Sequence, residues 1–285
     1  MSIQLLPISD DDVPAAAQFL HEHLNKRISA TAWALALRPS WRIEAPNHGF
    51  MLVAGKTIVG VHVAYYSQRR IEDKVYRLCN LAAWCVLEDY RLHGLRLLKA
   101  LLAQGDYHFT DFSPSGNVVH INARLKFERL STATALVPNL PWPFWPARTR
   151  IVSDRAAIES ILKGRDLEIY RDHARATAAY HAVIVRGDEV CYIIFRRDRR
   201  KNLPIFASLL YVGNLHLFSR VARHFFRYLL LRHGILATLA EIRVVGSRPF
   251  LSVMLRSPRP KMFKSDRLHA DQIDYLYSEL TCVPW

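Results

Sequence analysis

Cysteine is scarce in this chain. Its 285 residues include only Cys79, Cys85, Cys191 and Cys282, with no Cys-x-x-Cys pair, which excludes a disulfide scaffold and a zinc module. Cys79 and Cys85 are six apart in a strand-like run. They therefore share a face about 20 Å apart, beyond disulfide reach, and all four cysteines are expected as reduced thiols. His21-Glu22-His23 lacks the i, i+4 spacing of a helical zinc pair, so no metal site is expected. Glycine is sparse too, at 11 residues, and no Walker loop, Rossmann fingerprint or Gly-x-Ser-x-Gly elbow occurs. No apolar run reaches the roughly 20 residues a membrane span needs. The longest, Tyr228 to Ile242, is broken by Arg232, His233, Gly234 and Glu241. The start, Met1-Ser2-Ile3-Gln4, has no basic-then-apolar leader, and a cytoplasmic location is expected. No repeat of the length used by solenoids or propellers is present.

Acid is the minority charge. Lys and Arg number 39 against 25 Asp and Glu, a net +14, with 17 basic and 12 acidic residues in 1–150 and 22 and 13 in 151–285. Such an excess attracts nucleic acid, anionic lipid or phosphorylated small molecules, and charge alone does not choose among them. The run Arg196-Arg197-Asp198-Arg199-Arg200-Lys201 reads as a solvated turn between strands, or more sharply as a contact for an anionic acceptor or lipid headgroup. Arg220, Arg223 and Arg227 recur at helical spacing beside Phe218, Val221, Phe225 and Leu229.

The remaining composition, 51% apolar and 22% charged, is that of a globular chain. In the first half, strands are predicted over Ile3 to Ile8, Gly49 to Ala54, Ile58 to Tyr66, Val75 to Leu87, Tyr107 to Phe112 and Ala133 to Val137. Helices are predicted from Pro14, over Thr31 to Leu37, Tyr90 to Ala103 and Asn117 to Leu125. Val75 to Leu87, long and almost uncharged after Arg77, reads as a buried central strand. The Pro-rich stretch Pro138 to Pro146, with Trp142, Phe144 and Trp145, breaks regular structure and reads as a packed strap at a domain boundary. Beyond it the order repeats: helices over Asp154 to Leu162 and Asp166 to Ala174, strands at His181 to Val185, Val190 to Arg196 and Ile205 to Val212. A helix from Leu215 to Arg232 ended by Gly234 follows, then strands near Ala237 to Val245 and Phe250 to Leu255. This order predicts an α/β chain of the α+β type. Two domains, 1–140 and 150–285, each have a mixed, mostly antiparallel sheet flanked by helices, as after an internal duplication.

Chemistry concentrates at Val86-Leu87-Glu88-Asp89-Tyr90-Arg91-Leu92-His93-Gly94-Leu95-Arg96, where the central strand hands over to a helix. A helix start exposes unpaired N–H groups and the positive end of the dipole, which suits a pyrophosphate. Gly94 permits close approach and Arg91 supplies charge. An ordinary strand-to-helix turn with a surface arginine is the plainer alternative.

These residues resemble the GNAT superfamily of acyl-CoA N-acyltransferases, whose pyrophosphate motif runs Val-x-Pro-x-Tyr-Arg-x-x-Gly-x-Gly. Val86, Tyr90, Arg91 and Gly94 match by position. Gly55-Lys56-Thr57-Ile58-Val59-Gly60 resembles the family's hairpin between its second and third strands, and Leu125-Lys126-Phe127-Glu128 the turn closing its fourth helix. The resemblance spans roughly residues 3–137. Glu88 replaces the motif's Pro and Arg96 its last Gly, so Arg96 either contacts phosphate or crowds it. Asn122 stands about where many members keep a tyrosine that protonates the departing thiolate. In the second half, Tyr211-Val212-Gly213-Asn214 leads into the helix with no Arg-x-x-Gly, so that half resembles a GNAT-like domain without its phosphate loop.

The resemblance implies direct transfer of an acetyl or longer acyl group from acyl-CoA to an amine, without metal. The acceptor would be a small molecule, of sugar or amino-acid type, shaped in part by the second domain. Trp84, Val86, Arg91, Leu92, His93, Gly94, Leu95 and Arg96 would hold the CoA. The amine must lose a proton before attack, and the strand Val75 to Leu87 contains no Asp or Glu. Candidates for the base are Glu88, Asp111, His120 and His93, each equally readable as a surface charge or cap. The alternative function is a non-enzymatic GNAT-like protein that binds an anionic partner, RNA or a membrane surface. Nucleic acid is the less expected partner of an enzyme of this kind, while peripheral membrane contact stays open.

Overall fold

The computed structural model describes residues 2–143, 149–200 and 203–285. Phe144, Trp145 and Pro146 of the proposed strap, and Lys201 of the basic run, lie outside the described residues. In chain order the elements are β1 (Ile3–Pro7), α1 (Val13–His23), α2 (Ala30–Leu37), β2 (Gly49–Ala54), β3 (Thr57–Ile71) and β4 (Lys74–Val86). After a 3-10 helix (Glu88–His93) come α3 (Gly94–Leu102), β5 (His108–Asp111), α4 (Gly116–Arg124), β6 (Glu128–Arg129) and β7 (Thr134–Pro138). There follow β8 (Thr149–Val152), α5 (Arg155–Ile161), α6 (Gly164–His173), β9 (Tyr180–Arg186), β10 (Glu189–Arg200), β11 (Leu203–Val212) and α7 (Leu215–His233). The chain ends with β12 (Ala237–Glu241), α8 (Ile242–Val245), β13 (Val253–Met254), β14 (Met262–Lys264) and α9 (Glu279–Cys282). Among the described residues no helix is long and apolar enough to cross a membrane.

Two seven-stranded sheets result, ordered β1-β2-β3-β4-β5-β14-β6 and β13-β7-β12-β11-β10-β9-β8. Both are mostly antiparallel, with one parallel pair each, β4 with β5 and β11 with β12. The two orders correspond strand for strand once one strand is exchanged. β14, from the end of the chain, takes the place between β5 and β6, and β7 takes the place between β12 and β13. The compact units accordingly do not follow the Pro-rich break. The first comprises the chain up to Leu130 with Pro260–Ile273 and Tyr277–Pro284, and the second Ser131–Arg259 with Asp274–Leu276 and Trp285. The division expected at 140 and 150 leaves β7 on the wrong side and omits the return of the C-terminal segment. A three-residue strand such as Met262–Lys264 carries almost no alternation by which sequence could assign it to a sheet.

In the first unit, Leu98 and Leu101 of α3 and Val119 of α4 bury against Cys79 and Leu81 of β4 and Phe109 of β5. In the second, Leu217, Phe218, Val221, Phe225 and Leu229 form the buried stripe of α7 against Ile193 and Phe195 of β10 and Leu209 of β11. Phe218, Val221, Phe225 and Leu229 are the stripe expected from the helical spacing, and Leu217 joins them. Gly234, in the left-handed conformation at φ 65, ends α7 as expected. The basic run departs from the solvated turn expected of it. Its described part lies in β10, with Arg196 and Asp198 buried, and Asp198 pairs with Arg259 at 3.0 Å. All four cysteines are free, three buried and Cys85 half-buried.

Candidate active site

The site begins with a fault in the central sheet. β3 and β4 pair antiparallel from end to end except between Val61↔Cys85 and Val63↔Ala82. Ala83 and Trp84 there face the single residue His62, a β-bulge. Ala83 takes the left-handed conformation, φ 45, which costs an alanine on the order of 1–2 kcal/mol. The bulge lays the Trp84 ring flat on the His62 imidazole, centroids 4.8 Å apart and planes 6° from parallel. His62 is buried, its Nδ1 has no hydrogen-bond partner, and burial pulls its pKa down to about 3. It is a neutral imidazole.

On its other edge β4 is paired in parallel with β5 only from Leu78↔His108 to Leu81↔Asp111. β5 ends there, while β4 continues to Val86, so the strands form a fork whose crotch is Leu81 and Asp111. Past the fork the chain turns into the 3-10 helix and α3, neither of which has a side-chain cap at its start. There the Tyr90 amide donates to the Leu87 carbonyl at 3.0 Å and the Gly94 amide to the Arg91 carbonyl, and no side chain competes with an anion for the turn.

The eight residues expected to hold CoA fall in this one neighbourhood. Trp84 and Val86 form the floor under Gly94: a Cβ on Gly94 would lie 3.5 Å from Val86 and 3.7 Å from Trp84, ordinary contact. Since φ there is −55, the fold itself tolerates alanine at 94. Arg91 is exposed and paired with Glu88 at 3.2 Å, an ion pair weak enough in water to yield to a phosphate. Leu92 is 95% exposed, Leu95 is exposed too, and His93 is half-buried. Arg96 is the exception in direction. It donates from Nη1 to the Ile3 carbonyl of β1 at 3.2 Å and so neither reaches the turn nor crowds it in this structure.

The base candidates separate. Glu88 is exposed on the 3-10 helix, and His120 is exposed on α4. Asp111 alone lies buried in the crotch of the fork. Its carboxylate accepts from Asn122 Nδ2 at 2.8 Å and from the Ser113 amide at 3.3 Å, and burial raises its pKa to about 6 against those bonds. Asn122 is fully buried, and its Oδ1 has no partner.

A further carboxylate, Glu279, joins the site unexpectedly. Its backbone N–H donates to Asn80 Oδ1 of β4 at 3.0 Å, and Asn80 in turn bonds Thr110 of β5 at 3.1 Å. The carboxylate accepts from the Ser113 hydroxyl at 2.9 Å, while Oε2 is buried and unpartnered. Burial, and then the charge of Asp111, push its pKa up to about 7. Nothing local in Ser278-Glu279-Leu280 signals this.

The second unit has the same fork, but its helix start carries a side-chain cap. β12 follows β11 only to Ser208↔Leu239, and β11 runs on to Val212. There Asn214 caps α7 by accepting from Leu217 N at 2.9 Å. The Asp166 carboxylate presses so close to Gly213 that a Cβ there would lie 2.6 Å from Oδ2. A resident carboxylate at that position repels phosphate.

At the level of sequence, no family model matches the chain and no curated protein matches it significantly. Comparison with solved structures shows the fold to be that of GNAT-related acyltransferases. A GCN5-related N-acetyltransferase from Anabaena variabilis superposes with a TM-score of 0.59 at 11% identity, over 92% of this chain and 72% of that one. A GCN5-related glucosamine N-acetyltransferase region of a fungal multi-domain β-N-acetylglucosaminidase gives 0.58 at 13%, over 92% and 38%. Saccharomyces cerevisiae N-myristoyltransferase with bound myristoyl-CoA gives 0.55 at 11%, over 99% and 89%. The chain thus has the GNAT-superfamily fold, in the two-sheet arrangement.

Proposed function

We propose that this protein is an acyl-CoA-dependent N-acyltransferase whose first unit binds the acyl-CoA and whose acceptor is the primary amine of a small molecule, of sugar or amino-acid type. The observation that carries the reading is the fork itself. β4 offers an edge without a β5 partner from Ala82 to Val86, beside a strained bulge and an uncapped helix start. An extended pantetheine arm fits such an edge, with its pyrophosphate over the turn Arg91 to Arg96. Trp84, Val86, Leu92, His93, Gly94 and Leu95 line the path, and Arg91 pairs with phosphate. Arg96 holds α3 to β1 rather than touching ligand. N–H groups at the bulge stabilise the oxyanion as the amine adds to the thioester. The bound myristoyl-CoA of the yeast neighbour and the glucosamine chemistry of the fungal one support the co-substrate and acceptor classes. The second unit binds no acyl-CoA, a reading supported by the carboxylate of Asp166 at the start of α7.

Isothermal calorimetry tests this. Acetyl-CoA is expected to bind at one equivalent per chain, and Gly94→Glu, which drives a charged side chain into Trp84 and Val86, to abolish binding. Absence of binding to the wild-type protein up to millimolar CoA would end the reading.

A further inference from the structure

Resting on that reading, we propose that Asp111 and Glu279 act as one acid–base unit, bridged by Ser113, that holds a single proton and accepts the proton the acceptor amine must lose. Two carboxyls from distant parts of the chain meet the same residue: the Ser113 amide donates to Asp111 at 3.3 Å and its hydroxyl to Glu279 at 2.9 Å. Both carboxylates are buried, Asp111 at 7% and Glu279 at 0% exposure, beneath Ser113, which is exposed. Among the described residues no cation makes a hydrogen bond or ion pair with either carboxylate, unlike Asp198, which has Arg259. Like charges so close and so dry do not both ionise. The other titratable groups coupled to Glu279 are Tyr65 of β3 and Cys282 of α9. Burial raises the pKa of each, so both are neutral and neither relieves the pair.

A purely structural acid pair would use its hydrogen-bonding capacity. This one leaves two buried acceptors open, Glu279 Oε2 and Asn122 Oδ1, each forgoing a bond the fold otherwise makes. Both belong to the network that reaches the fork, where β4 loses its β5 partner. Asn122 Oδ1 is the positioning acceptor for an amine N–H, and Asp111, the less enclosed carboxylate, takes the proton. The step balances. The ammonium form of the acceptor gives one proton to the ionised member of the pair. The freed lone pair adds to the thioester carbonyl carbon, the C–S bond breaks, and the thiolate leaves with the second proton from the new N–C centre. The proton on the pair then passes to solvent.

The proton is read first. Infrared difference spectroscopy of the full chain follows the carbonyl band of protonated carboxyls. At about pH 6.5, where ordinary carboxyls are ionised, one protonated carboxyl is expected, lost at higher pH. Glu279→Gln removes most of that band, and Asp111→Asn moves the titration of Glu279 to lower pH. The chemistry is read second, as thiol release from acetyl-CoA with water as the acceptor. Asp111→Asn is expected to lower the rate roughly a hundredfold. Glu279→Gln lowers it less and shifts the pH profile, with CoA binding by calorimetry unchanged in both. A merely structural pair would leave the pH profile in place. The proposal is overturned by an absent band, by an unchanged rate and profile in both variants, or by a wild-type rate no higher than buffer while CoA binds. Should CoA fail to bind, the acyltransferase reading falls, and the infrared titration still decides whether the pair shares a proton. Ser113→Ala, which keeps both carboxyls, guards against misfolding: it is expected to retain the band and lower the rate.

Discussion

Replacing Glu279 by glutamine should make the protein more stable at alkaline pH and leave it unchanged in acid. In the folded chain Glu279 titrates at about 7, against 4.5 for a free carboxyl. The folded state therefore keeps a proton that the unfolded state has already released. With more protons bound in the folded state, stability falls as pH rises. The stability associated with the protonated acid is fully present below about 4.5, declines up to about 7 and is gone above it. For one such group the loss is on the order of 3 kcal/mol. Asp111, raised from 3.8 to about 6, adds a loss of the same sign over a lower window. Glutamine has the shape of the neutral acid and can still accept from Ser113, so the variant escapes Glu279's share. Urea denaturation followed by tryptophan fluorescence would measure the difference at successive pH values. Glu279→Gln should match the wild type at about pH 4.5 and exceed it by about 2–3 kcal/mol at about pH 8. A variant less stable than the wild type at high pH would mean that Glu279 is an ionised, stabilised carboxylate.

Three further outcomes are expected. Arg91→Ala should weaken CoA binding by about 1.5–3 kcal/mol, tenfold to a hundredfold, without changing stability, since its ion pair with Glu88 is exposed; calorimetry and thermal melts read the two. Arg96→Gly should do the reverse, lowering stability by about 1 kcal/mol through loss of the bond to Ile3 while leaving CoA affinity unchanged; tightened binding would show that the arginine obstructs the site after all. A thiol reagent should find four groups in denatured, unreduced protein, and in the native protein it should label half-buried Cys85 first.

Much of the fold was legible because the signals were local. The alternation in Gly49 to Ala54, the apolar run after Arg77 and the stripe of α7 each belong to one segment, and a buried face enforces each. The turn Arg91 to Arg96 was legible for the same reason, as a contiguous motif. What was not legible depends on distant segments meeting. β7 read as a strand and β14 was not foreseen, and no property of three to five residues says which sheet such a strand joins. His62 and Trp84 become a stacked pair only because a bulge adds a residue opposite His62. Glu279 is carried to β4 by the bond from its amide to Asn80, and its chemistry arises from what surrounds it there. Asp198 shows the same limit from the other side, since a run of charges reads as solvated until Arg259 arrives to pair it.

If the first unit, and not the second, binds acyl-CoA at its fork, a crystal structure of the protein with CoA will show it. One CoA per chain is expected. Its pyrophosphate should sit over Arg91 to Arg96, with Arg91 turned from Glu88 to phosphate, and its pantetheine should run along Ala82 to Val86 toward Asp111. A pyrophosphate at the start of α7 beside Asp166, or a fork left empty at saturating CoA, would contradict it.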